Sequence, residues 1–156
     1  MKAFITKSVI ALAMLAFCAK ASAQIEFIEK YENDKKATYV YVGKAMLKLV
    51  GAKQYSIVPG RDMSAIADKI NGIQIVTSED AATVAKIRTD VAEAVKKYGY
   101  EVLMKANEED TKMTLYFLQD KKESYVLMSV AEDGGANLIA FTGTFTMDDI
   151  AKMTQQ

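Results

Sequence analysis

The sequence predicts an α+β fold: an antiparallel sheet of five or six strands ending in a four-stranded meander, with one long amphipathic helix over about residues 79–98 and several short helices. Three observations carry this. After Gly99 the apolar residues take a period of two through four runs, 100–105, 112–118, 124–130 and 137–145. The turns between those runs are too short to join anything but antiparallel neighbours. Ahead of Gly99, Val84, Ile87, Val91, Val95 and Tyr98 recur every three or four residues, the spacing of one helix face. Two further runs, 38–42 and 73–76, are rich in β-branched residues and add strands before the helix.

Taken in order, the chain opens with the three-part layout of a secretory signal. Lys2 and Lys7 precede an apolar run over 9–17, and Ala21-Ser22-Ala23 stands before Gln24. A positive start orients such a segment and small residues suit the peptidase, so cleavage after Ala23 is expected. One domain then remains over 24–156, a length that suits a single core. The apolar run is shorter than the roughly 20 residues needed to cross a bilayer, so the mature chain is expected to have no transmembrane segment. Cys18 supports a minor reading, lipidation behind an apolar run, although Phe17 stands where a small residue would be expected.

Ile28 and Tyr31 suggest a short leading helix, which Asn33-Asp34-Lys35-Lys36 breaks before the strand at 38–42. Met46, Leu49 and Val50 return to helical spacing, with Gly51 as a left-handed stop. Residues 52–60 hold the only proline and read as a loop. Asp62 can cap a further short helix carrying Met63, Ile66, Ala67 and Ile70, which Asn71-Gly72 would end. Ser78 is the expected cap of the long helix, with Glu79 and Asp80 where the dipole favours negative charge and Gly99 as its stop. Thr146, with Asp149 three residues on, starts a final helix in a capping-box arrangement.

Composition excludes several chemistries. The sequence contains no histidine, so the commonest metal ligand and general base is missing. Its single cysteine, Cys18, would leave with the signal, so no disulfide can form. Loss of Lys2, Lys7 and Lys20 takes 20 basic and 20 acidic residues to 17 and 20. A mildly acidic chain with no basic block has no footprint for nucleic acid or an anionic membrane. No nucleophile elbow, phosphate loop or dinucleotide fingerprint occurs. The acids Glu108-Glu109-Asp110 and Glu132-Asp133-Gly134-Gly135 read as solvated turns, and Asp148-Asp149 as a helix first turn. Catalytic residues, a cofactor and a metal site are therefore not expected.

Several stretches resemble the exported bacterial family known as domain of unknown function 4252. They are the aromatic strand leading into Gly43-Lys44-Ala45-Met46-Leu47, the segment 70–80, the strand at 100–104, and the ending Thr142-Gly143-Thr144-Phe145-Thr146-Met147-Asp148-Asp149-Ile150. The resemblance implies small envelope proteins of Bacteroides-type bacteria, some lipidated, in a setting of sigma-factor and anti-sigma signalling. It supplies no catalytic residues.

The sheet has one irregularity of patterning. Met113, Leu115 and Phe117 alternate with Tyr116 and Leu118, and Val126, Met128 and Val130 with Tyr125 and Leu127, so both faces are apolar. A sheet wet on one side alternates apolar with polar residues. The long helix covers one face, and the expected interaction face is the other, lined by Tyr116, Leu118, Tyr125 and Leu127. The expected function is that of a non-enzymatic exported envelope protein binding a protein partner, with envelope stress or sigma and anti-sigma signalling as its candidate setting. Methionines at 46, 63, 104, 113, 128, 147 and 153 are soft enough to line an apolar surface. They motivate an alternative, a carrier of a lipid or other apolar small molecule; a third reading is an enzyme of unrecognised chemistry.

Overall fold

The computed structural model describes residues 24–50 and 64–154, and the side chains of 24–50 and 66–152. The signal segment with Cys18 and Ala23, the Gly51 stop, the loop at 52–60 and the Asp62 cap lie outside them. The sheet has six antiparallel strands: β1 (Thr38–Gly43), β2 (Ile70–Ser78), β3 (Glu101–Asn107), β4 (Lys112–Asp120), β5 (Glu123–Glu132) and β6 (Gly135–Gly143). Their order across the sheet is β1-β2-β6-β5-β4-β3. The expected meander is there, and β2 and β1 continue it beyond β6.

The helices are α1 (Glu26–Glu29), extended by a 3-10 turn (Lys30–Asn33), α2 (Lys44–Val50), α3 (Ser64–Ala67), α4 (Ala81–Tyr98) and α5 (Met147–Thr154). The long helix α4 ends as expected: Gly99 is left-handed, with φ 76°, and its N–H donates to the Val95 carbonyl. Its start differs by two residues. Asp80 is the cap, accepting from the Thr83 N–H at 3.1 Å, because Ser78 is still paired with Ala136 in the sheet. The Ser78 hydroxyl instead donates to the Lys36 carbonyl at 2.7 Å.

Asn71-Gly72 does not end a helix. It lies inside β2, where the pairing with β6 shifts between Ile70 and Gly72, and α3 is a single turn that stops at Ala67. Burial explains this: Ile70, Gly72, Ile73, Gln74 and Val76 are all buried, so the segment gains more by joining the sheet than by extending a short helix. At the other end β6 stops at Gly143 and not at 145. The Thr144 N–H turns to the Lys69 carbonyl at 2.9 Å, and Phe145 leaves the sheet to pack near Phe117, ring centroids 6.5 Å apart.

Strand parity divides the core in two. On one face Val76, Leu138, Ala140, Leu127 and Tyr125 meet Val84, Ile87 and Val91 of α4 and Ile25, Ile28 and Tyr31 of the leading segment. On the other, Ile73, Phe141, Val126 and Phe117 meet Leu47 of α2, Ile66 of α3, Ile150 of α5 and Phe145. The leading segment is fastened to α4 by polar contacts as well. Tyr31, fully buried, donates its hydroxyl to Asp90, which also pairs with Lys30. Burial and the Asp90 carboxylate hold that phenol well above its ordinary pKa.

Candidate functional site

The four residues expected to line a free face are the ones α4 covers. Tyr116 stands opposite Leu127 and Leu118 opposite Tyr125, so the four share a face. Tyr125 and Leu127 are 1% and 0% exposed, and Tyr116 and Leu118 pack against the same cluster. The Tyr125 hydroxyl donates to Glu123 at 2.6 Å, and burial pushes its pKa up. This face is core, which corrects the expected interaction face. The reason is topological. In the observed order β2 and β3 run parallel at separated positions, so the connection through α4 must cross three strands on one side of the sheet. Which side depends on the handedness of that crossover and not on the alternation of apolar residues.

The half-covered face is therefore the opposite one. Its first row of side chains, Ile73, Phe141, Val126 and Phe117, is buried under the short helices. The next row crosses the whole sheet in register: Val40, Ile75, Ile139, Met128, Leu115 and Met104 each stand opposite the next. Val40 and Met104 at its ends are 42% and 39% exposed; Ile75, Ile139 and Leu115 are half-buried and Met128 is buried. A third row adds half-buried Val130 and Met113. Every residue of the middle row is aliphatic or a methionine, and no polar group interrupts it.

The polar candidates are structural. Glu108-Glu109-Asp110 lies in the β3–β4 turn, closed by hydrogen bonds between Glu108 and Thr111. Glu132-Asp133-Gly134-Gly135 is the β5–β6 hairpin, with Gly134 at φ 77°. A broad polar depression of about 870 Å³ beside it is lined by Lys35, Lys36, Ser78, Glu79 and Asp133 among others. These charges are of both signs, and the buried side-chain oxygens without a partner among the described residues, those of Gln24 and Gln74, are not in its wall. No group of three potential metal-ligating residues occurs among the described residues.

Asp149 has a definite task. Its carboxylate accepts from the Thr146 N–H at 2.8 Å while the Asp149 N–H donates to the Thr146 hydroxyl at 3.3 Å, the capping box expected from the sequence. It also accepts from Lys69 at 2.7 Å, tying α5 to the start of β2, a contact 80 positions apart that no local pattern announces. Lys69 first, then the Thr146 N–H, draws the carboxyl down to about 2. Because the folded pKa is depressed, the contribution is complete above the unfolded value near 4 and vanishes as pH falls toward 2. Asp149→Asn is expected to lower stability by about 1 kcal/mol at neutral pH, and denaturant melts of the two proteins should converge in acid. A constant difference down to pH 2 would refute the assignment.

A family model for a domain of unknown function, DUF4252, matches residues 31–153. The chain belongs to the DUF4252 family. The match begins at Tyr31, on the leading segment, and runs through the sheet into α5, so the DUF4252 domain includes both faces described above. No curated protein matches the chain. Among solved structures, the Pseudomonas aeruginosa protein PA94, of unknown function, is similar at 14% identity and a TM-score of 0.34, over 55% of this chain and 67% of its own. No helix among the described residues of this DUF4252 protein is long and apolar enough to cross a membrane.

Proposed function

We propose that the protein is a non-enzymatic, exported envelope component that binds a protein partner through the half-covered face of its sheet. The observation that supports this is the uninterrupted apolar row from Val40 to Met104. Its half-buried middle and exposed ends leave apolar side chains at the surface on both edges of the sheet, and exposed apolar patches mark interaction sites. The row is a strip across six strands, ending in exposed side chains at both edges. That shape suits an extended or helical partner better than a small apolar ligand, which is held in a concave site that buries most of its surface. Met104, exposed, and Met113, half-buried, supply adaptable contact. The export signal at 1–23 supports an envelope setting, and a place in sigma-factor or anti-sigma signalling is the finer form of the same reading.

The test is recovery of crosslinked partners from intact envelopes. The double variant Val40→Thr, Met104→Lys, at the two exposed ends of the row, should recover at least about tenfold less partner than wild type, since both lie at the proposed contact, with its melting curve little changed. Undiminished recovery would exclude this face. Native mass spectrometry of the purified protein would instead favour an apolar carrier if extra bound mass arrived with it and left in the same double variant.

A further inference from the structure

We infer that the β1 edge of the sheet pairs with the β1 edge of a second copy of this chain, antiparallel about a two-fold axis through Val40. The sheet has two edge strands, β1 and β3, and they are built differently. β3 carries Glu101 and Lys105, and its pairing with β4 shifts between Val102 and Met104. Charged side chains and a bulge are the devices that keep an edge from adding a further strand. β1 has neither. Its sequence, Thr38-Tyr39-Val40-Tyr41-Val42-Gly43, holds no charged residue and no proline, and it pairs with β2 in unbroken register. Five of its six positions are β-branched or aromatic, the composition of a strand with neighbours to pack against.

The chain leaves this edge open. Among the described residues β2 is the one strand that pairs with β1, so alternate backbone groups along β1 point outward with no ladder partner. Thr38, Val40 and Tyr41 are exposed, Tyr41 to 60%. The elements on either side of β1 pack over the sheet. Leu47 of α2 joins Ile66, Ile70 and Ile73 on the half-covered face, and the leading segment packs on the α4 face, where Tyr39 meets it.

Three features select a second copy as the occupant. The first is self-complementarity. A two-fold axis perpendicular to the sheet keeps each face with its own kind, so Val40 stands opposite Val40, Tyr39 opposite Tyr41 and Thr38 opposite Val42. No charged residue enters this ladder from either copy, and two Tyr39–Tyr41 pairs form on the α4 side, an aromatic contact that stabilises antiparallel strands. The second is continuity. Val40 ends the apolar row at the surface, 42% exposed, and meeting its own copy there joins the two rows into one that runs from one Met104 to the other. The third is closure: the guarded β3 edge does not accept β1, so the association stops at a pair and does not grow into a filament. Lys36 and Lys44 come opposite each other just beyond the ladder, but Asp80 already engages Lys36 at 3.0 Å, and salt screens what repulsion is left. The pairing needs no envelope partner, so it and the proposed function fail independently.

The experiment is sedimentation of protein purified from its own cells in its natural processed form, over a micromolar concentration series. Wild type should pass from monomer to dimer and no further. Val40→Lys places two ammonium groups against each other on the axis and should weaken the dimer at least about tenfold, and Val40→Glu should do the same with two carboxylates. An equimolar mixture of the two variants should restore a dimer, now of one Lys and one Glu chain, a recovery that misfolded chains would not give. Met104→Lys at the guarded edge should leave dimerisation unchanged. The inference is overturned by a wild type that stays monomeric or grows beyond a dimer, by a dimer indifferent to Val40→Lys, by a mixture that stays monomeric, or by equal loss from Met104→Lys.

Discussion

Gly143→Ala will lower the stability of this protein by at least about 3 kcal/mol, in the upper range for overpacking a well-packed site. A Cβ at Gly143 would sit 2.1 Å from the Lys69 carbonyl oxygen and 2.9 Å from the Phe145 ring. The carbonyl cannot retreat freely. It accepts the Thr144 N–H, the Lys69 N–H is held by Ile66, and the Lys69 side chain is held by Asp149. Gly143 is also paired with both Ile70 and Ser124, so backbone movement there disturbs three strands. Gly43→Ala is the control: its nearest neighbours are atoms of the exposed Tyr41 ring, at 3.4 Å, and it should cost under about 1 kcal/mol. Denaturant midpoints of the two variants measure the contrast. Equal midpoints would mean that the close approach of the 66–69 turn to β6 is wrong.

Leu127→Ala should cost about 3 kcal/mol, through lost transfer energy and the cavity left under α4, and lower Tm by on the order of 10 °C. Leu127 is fully buried, flanked in register by Tyr116 and Ala140 and in the same cluster as Val84, Ile87 and Val91. Tyr125→Ala should be comparably severe, because it also strips Glu123 of its hydroxyl partner. The measurement separates two arrangements of the same alternating strands. Were these residues on a docking face, partner recovery would fall and the melting curve would not move.

Local chemistry made much of this molecule legible before any coordinates. The period-two runs with short turns specify the β3 to β6 meander, since each turn can only reverse the chain. Gly99 and the Thr146–Asp149 box mark helix ends because capping is settled within four residues. The failures are as informative. Ser78 resembles a cap, yet its backbone is still pairing with Ala136. Asn71-Gly72 resembles a helix stop, yet the neighbouring β6 strand offers it a ladder. In each case a partner distant in sequence overrides a local preference of about 1 kcal/mol.

The two-faced sheet divides the same way. That both faces are apolar is written in the alternation of Tyr116, Phe117 and Leu118 with their neighbours. Which face α4 covers is not, because side-chain alternation is symmetric between the faces while a crossover from β2 to a distant parallel β3 is not. The strand order then aligns Val40, Ile75, Ile139, Met128, Leu115 and Met104, drawn from six separate segments, into one row. By itself the sequence determined the strands, the long helix and the alternation. The tertiary structure decided which apolar residues are core and which remain at the surface, because burial depends on what the rest of the chain lays over a face, and no local period encodes that.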